Sequence, residues 1–186
     1  MIPPLIAGHL PVGRYSCSLE EIESTFVTAP AFRNSQSRPA LFDGLLAYLH
    51  EWEEAERLVD TKVLMSLWIG GGFTSDKLDT DDVDVSPIVN SRALDNLRGQ
   101  AGSGRIKALY SHRTRVRNEY GVEPFVVLWR PFTTLKLQEH DSGAHEYVAV
   151  RGMMDDFWQR RQSAPTKGAM TEEDAEPARG YLEVTV

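Results

Sequence analysis

One cysteine, Cys17, is all the thiol chemistry these 186 residues hold. An internal disulfide is excluded, and a reducing compartment is the expected setting. No histidine-containing motif accompanies Cys17, so a packed thiol is expected in place of a nucleophile. Basic excess is missing as well: 20 Lys and Arg face 27 Asp and Glu, for a net charge of −7. A protein that coats nucleic acid wants a basic footprint, so that class is disfavoured, although a local basic groove stays open. No apolar run approaches the ~20 residues needed to cross a bilayer. The start, "MIPPLIAGHLPVG", has neither a basic n-region nor a long apolar h-region. A soluble cytoplasmic protein is therefore expected. Of the five histidines, His9, His50, His140 and His145 show no metal-ligand spacing, and no internal repeat is visible.

What is present reads as one globular domain spanning 1–186, with 41% hydrophobic and 25% charged residues. Residues 1–17 carry Pro3, Pro4 and Pro11 and are expected to be extended. Ser18 and Glu21 form a capping box for a short helix. Leu41, Leu45, Leu46, Leu49, Trp52 and Ala55 recur at helical spacing and predict a core helix over 39–58. Near-continuous apolar residues at 62–69 predict a central strand, and "DVDVSPIV" at 82–89 a second. Pro87 places the far end of that second strand at an edge or at its termination. Asn90 or Ser91 caps a helix to Leu97, and 99–104 reads as a flexible joint. One basic helix is predicted over 105–120, closed by Gly121. "EPFVVLW" predicts a third strand, 145–161 a helix with Tyr147, Val150, Met154 and Trp158 on its core face, and "YLEVTV" a final strand. The polar stretch near 163–180 is expected to be a mobile loop. The class is α+β (mixed α/β), a small mixed sheet flanked by helices.

Between the first two strands lies "GGGFTSDKLDTDDVDV", with three glycines and five aspartates. Strand alternation sends Asp82 and Asp84 to one face and Val83 and Val85 to the core. Two like charges on one face repel, but they suit a hard divalent cation. Magnesium takes one or two protein carboxylates and completes its octahedron with water and phosphate. Gly70, Gly71 and Gly72 let the backbone turn and a phosphate approach the amides. Lys77 supplies a point charge for the same phosphate. Asp76, Asp79 and Asp81 are read as turn and solvent residues. An EF-hand starting at Asp79 fails, because its sixth and twelfth positions are Asp84 and Asn90. The glycines match neither a Walker A loop nor a dinucleotide fingerprint. Arg105, Lys107, Arg113, Arg115 and Arg117, with His112, form a basic segment on which Arg113 and Arg117 share a face. It either contacts RNA or a triphosphate, or is a solvated face paired with acidic surface.

An apolar strand, a glycine turn, about ten residues and then Asp-x-Asp on the next strand resembles the polymerase-beta-like nucleotidyltransferase superfamily. "IGGGFTSDKLDTDDVDV" is similar to the central motif of an uncharacterised nucleotidyltransferase-like family of bacterial and phage proteins. "LPVGRYSCSLEEIESTF", "NEYGVEPFVV" and "RGYLEV" resemble its flanks. The resemblance implies a nucleotidyltransferase-like fold and transfer of NMP from an NTP to a hydroxyl of a protein, RNA or small molecule. It implies Mg²⁺ or Mn²⁺ on Asp82 and Asp84, and an NTP held by Gly71, Gly72, Thr74 and Lys77. Gly72 stands where the motif often has serine. A third catalytic carboxylate is expected on a later strand: Glu123, despite the adjacent Pro124, with Glu183 as rival. The resemblance also implies a toxin–antitoxin or phage-defence setting, with a cognate toxin or antitoxin as partner. The alternative is a catalytically degenerate module that binds nucleotide or a partner protein.

Overall fold

The computed structural model describes residues 1–134, 136–162 and 171–186. Among them are six helices: α1 (Leu19–Phe26), α2 (Arg38–Val59), α3 (Ser91–Leu97), α4 (Ser103–Ser111), α5 (Arg113–Tyr120) and α6 (Ser142–Gln159). Six strands accompany them: β1 (Gly13–Ser16), β2 (Leu64–Gly70), β3 (Val83–Asn90), β4 (Val122–Pro124), β5 (Val127–Trp129) and β6 (Gly180–Thr185). All six strands join one sheet in the order β1-β6-β2-β3-β4, with β5 also beside β3. β2 runs antiparallel to β3 and β6, whereas β1–β6, β3–β4 and β3–β5 are parallel. The fold is α+β around a mixed sheet. Among the described residues no helix is long and apolar enough to cross a membrane.

Alternation along the strands splits the core in two. Leu67, Ile69, Val83, Val85, Val122, Leu182 and Val184 pack with α1 and the α2 stripe of Leu45, Tyr48, Leu49, Trp52 and Ala55. Trp68, Ile88, Val127 and Tyr181 face the other way, onto Tyr147, Met154 and Trp158 of α6. Ser18 and Glu21 form both halves of the capping box at α1. Asn90 caps α3 by accepting from the amides of Arg92 and Ala93. At Gly44 a Cβ would overlap the Tyr120 carbonyl, so this glycine lets α2 press against the end of α5.

Several elements differ from the sequence expectation. Pro87 is neither at an edge nor at a terminus: it is buried in β3, opposite Leu67 of β2. Its missing N–H is accommodated by dividing the neighbour on the other side. β4 pairs with β3 as far as Val85, and β5 resumes at Ile88. The single strand expected from "EPFVVLW" is therefore two. The basic helix is also two, because His112 takes non-helical angles (φ −96°, ψ 60°) between α4 and α5. The N-terminal segment is not simply extended. Ile6 and His9 bridge across a tight turn with positive φ at Ala7 and Gly8, and β1 then joins the sheet. Of the loop expected to be mobile near 163–180, residues 163–170 lie outside the described residues. Glu172–Ala175 form a 3-10 turn, and Ala178 and Arg179 donate their amides to the Gln159 carbonyl.

The feature least visible beforehand is Arg38, at the first turn of α2 and fully buried. Its guanidinium donates to the carbonyls of Phe26, Phe73, Ser75, Lys77 and Leu78 at 2.6–3.2 Å. It also lies over the Phe32 and Phe73 rings at 4.0 and 5.2 Å. Burial pushes its pKa down to about 10, which leaves it charged at neutral pH.

Arg38→Leu leaves these five carbonyls without their donor. It is expected to cost at least about 3 kcal/mol, a fall of roughly 6–12 °C in Tm. A Tm within about 2 °C of wild type in thermal unfolding would contradict this role. Burial raises the pKa of Cys17 from 9.0 to about 11. Alkylation by iodoacetamide at pH 8 should be about 100-fold slower than for an exposed thiol, rising tenfold per pH unit up to that value.

Candidate metal centre

β2, β3 and β4 set the site through their register. Gly70 lies opposite Asp84 in the antiparallel ladder, and Asp84 lies beside Glu123 in the parallel one. Direct neighbours across a ladder project to the same face. Asp84 therefore shares a face with Glu123 and, by alternation, with Asp82 and Ser86. That face is the α6 side, where Trp158 Nε1 donates to Ser86 Oγ at 2.9 Å. One carboxylate oxygen from each of Asp82, Asp84 and Glu123 lies within 4.8 Å of the others. All three side chains are partly exposed.

Glu183 is held elsewhere. It pairs across from Trp68, accepts from Trp68 Nε1 at 2.9 Å and Ser66 Oγ at 3.2 Å, and forms an ion pair with Arg14. Of the two candidates for a third carboxylate, Glu123 is the one brought to the aspartates. The Pro124 beside it does not break the arrangement. β4 is an edge strand, paired only through β3, and Pro124 ends it.

The glycine turn sits against the carboxylates. Gly71 has φ +70°, and a Cβ there would overlap the Asp84 carboxylate. At Gly70 a Cβ would meet the Trp158 ring at 2.6 Å. Gly72 is less constrained, with the Thr80 methyl 3.2 Å from its Cβ position and the Lys77 stem at 3.8 Å. Lys77 itself is exposed, and its side chain lies back along the turn. Thr74 is buried and donates its hydroxyl to Gly71 O at 3.3 Å, so it shapes the turn from within.

Three carboxylates this close repel, by about 3 kcal/mol per ionised pair at an effective dielectric constant of ~20. Arginines of α5 offset that repulsion. Arg117 Nε is 2.8 Å from Asp82 Oδ2, and Arg113 Nε and Nη2 are each 2.9 Å from Glu123 Oε1. Arg113 also lies 3.9 Å over the Phe125 ring. Arg105 and Arg115 pair with Glu51 and Glu119. The paired-surface reading of the basic segment thus describes these four arginines.

Two contributors escaped sequence reasoning. Asp79 accepts from Ser35 Oγ and from the amides of Gln36 and Ser37 at 2.7–3.1 Å, which holds its carboxyl below the usual range. It caps the approach to α2, where Ser37 makes no side-chain cap. The cap comes from some forty residues away, beyond any local motif. Arg179, just before β6, donates Nε to Trp158 O at 3.2 Å. Burial lowers its pKa, and the charge of nearby Asp84 opposes that shift. Burial also lowers the pKa of His9, assisted by Arg161 and Arg179. His9 bridges to Ser75, so these cations flank the glycine turn from the β6 side.

The donor set fits a hard divalent cation: all oxygen, all carboxylate, with Gly71 keeping clear the volume that Asp84 fills. Oxygens on an octahedral magnesium with bonds near 2.0–2.1 Å are about 3–4.2 Å apart. The three oxygens, within 4.8 Å of one another, are close to that spacing. Four clefts of about 260–600 Å³ are lined by none of the three carboxylates. The centre lies at the rim of the sheet, its three carboxylates partly exposed.

The comparison with protein families decides the relationship. The chain belongs to a family of unknown function (DUF6932), whose model matches residues 5–185. Among curated proteins and solved structures nothing matches significantly. The DUF6932 match takes in the N-terminal turn, the glycine hairpin, α5 and β6, so every element that builds the carboxylate rim is part of the family unit.

Gly71→Ala is expected to destabilise by about 1–3 kcal/mol and to push Asp84 out of the cluster. Gly72→Ala, with no positive φ to satisfy, should cost under about 1 kcal/mol. Urea unfolding of the pair checks the difference. Equal costs would mean that Gly71 is not held by the Asp84 contact.

Proposed function

We propose that this protein is a metal-dependent nucleotidyltransferase that moves NMP from an NTP to an acceptor hydroxyl. The observation that supports the reading is the meeting of Asp82, Asp84 and Glu123 on adjacent strands beside the glycine turn, with their ligand oxygens within 4.8 Å. The motif resemblance to polymerase-beta-like nucleotidyltransferases names the chemistry that such a cluster serves.

In this reading Asp82 and Asp84 hold Mg²⁺ or Mn²⁺. A bound cation supplies charge stabilisation at the phosphate oxygens and at the attacking and leaving oxygens. The chain's own residues do the positioning. The Gly71–Gly72 turn and Lys77 hold the triphosphate, and Arg179 adds a second cation from the β6 side. Glu123 takes the acceptor proton as the acceptor oxygen bonds to the α-phosphorus. The bond from that phosphorus to the bridging oxygen breaks, and pyrophosphate leaves with the electron pair. The acceptor is a protein, an RNA such as tRNA, or a small molecule. A cytoplasmic setting and a toxin–antitoxin or phage-defence partner accompany the same reading.

The ion pairs from Arg113 and Arg117 favour a second reading, a degenerate module that binds nucleotide or a partner without transfer. In that case the carboxylates belong to the α5 interface.

Incubation with each labelled NTP, Mg²⁺ and total tRNA or lysate separates the two. Label transfer is expected, and Asp84→Asn should reduce it at least ~100-fold. Transfer that survives this substitution would remove the site assignment. No transfer, with an NTP- and Mg²⁺-dependent rise in Tm, would favour the degenerate module.

A further inference from the structure

We infer that Arg117 is the counter-charge of Asp82 in the cation-free site and that a divalent cation competes with it for that carboxylate. The inference rests on the reading that Asp82 and Asp84 hold a cation.

The Asp82 side chain is only 13% exposed, and Arg117 Nε, 2.8 Å from its Oδ2, is its counter-ion. A guanidinium there occupies a lone pair that a metal would use, and a second positive charge at the same oxygen repels the first. The two compete for the same carboxylate. The alternatives to Arg117 differ in how firmly they are held. Arg113 is pinned between Glu123 and the face of Phe125. Arg117 has 42% of its side chain exposed and pairs with Asp82 through Nε. It can turn into solvent without opening a cavity. The helix backbone need not move: Val116 anchors α5 in the core, and Gly121 closes it in the left-handed conformation.

The exchange is therefore a side-chain rotation of Arg117, while Arg113 stays and keeps Glu123 oriented. α5 carries the charge that the empty cluster needs, on the helix that leads directly into the strand bearing the third carboxylate. This arrangement sets cation affinity as a difference, metal binding minus loss of the arginine pair. Removing the arginine raises affinity, the opposite of what loss of a supporting residue does. Retaining its charge as lysine keeps the competition.

Mn²⁺ titration by calorimetry or electron paramagnetic resonance tests this on the full chain. Arg117→Gln is expected to bind Mn²⁺ about three- to tenfold more tightly than wild type. Arg117→Lys should stay within about twofold of wild type, and Asp84→Asn should lose saturable binding. In chelator, Arg117→Gln should melt below wild type, and millimolar Mn²⁺ should raise its Tm by more. Asp84-dependent binding that is no tighter in Arg117→Gln overturns the competition and leaves the metal-site reading intact. Absence of Asp84-dependent binding in wild type and in Arg117→Gln alike removes the metal-site reading, and the competition with it.

Discussion

The rim depends on a charge placed where water does not reach. Arg38 is fully buried, and a buried guanidinium is tolerable only if its N–H groups all find acceptors. The acceptors here are main-chain carbonyls, four of them from the segment between Phe73 and Leu78. A loop conformation that turns these carbonyls away strands the cation, so the requirement selects one path for the chain between β2 and β3. Side-chain packing would define a glycine-rich loop poorly. A demand for five oxygens at one point defines it well. Asp79 fastens the far end of the same loop to the start of α2.

With the loop fixed, the rest follows from strand register. The antiparallel ladder places Gly70 against Asp84, and the parallel ladder places Asp84 against Glu123. Gly71 then has to lack a side chain, because the Asp84 carboxylate fills that space. The cluster is compact because β3 and β4 bring their carboxylates to one face beside the β2 glycine turn, and α5 brings two arginines to it. The lower face, with Val83 and Val85 against α2, supplies the burial that keeps the carboxylates from reaching inward.

Much of this was legible in the sequence. Period-2 alternation identified Asp82 and Asp84 and their shared face, helical spacing identified α2 and the α6 stripe, and the Ser18–Glu21 box marked α1. What stayed hidden depends on residues distant in the chain. Arg38 reads as an ordinary helix-start arginine, because its partners are main-chain carbonyls without a side-chain signature. Asp79 reads as a solvated turn, because the amides it caps are more than forty positions earlier. Glu123 and Glu183 could not be separated by spacing. Each lies within a strand, and the register that decides between them is a property of the folded sheet. Pro87 was misplaced because the rule that keeps proline off central strands assumes that both neighbours are continuous.

The interruption opposite Pro87 divides the sheet edge into two short pieces. Each is three residues long, and nothing on that side of β3 bridges Ser86 and Pro87. The pieces also answer to different helices: β4 packs on α5, and β5 on α6. Phe125, in the two-residue gap between them, joins the two: its ring lies under Arg113 of α5 and packs on Phe157 and Trp158 of α6. The stretch bearing Glu123 therefore feels both helices, as a hinge pin held from two sides.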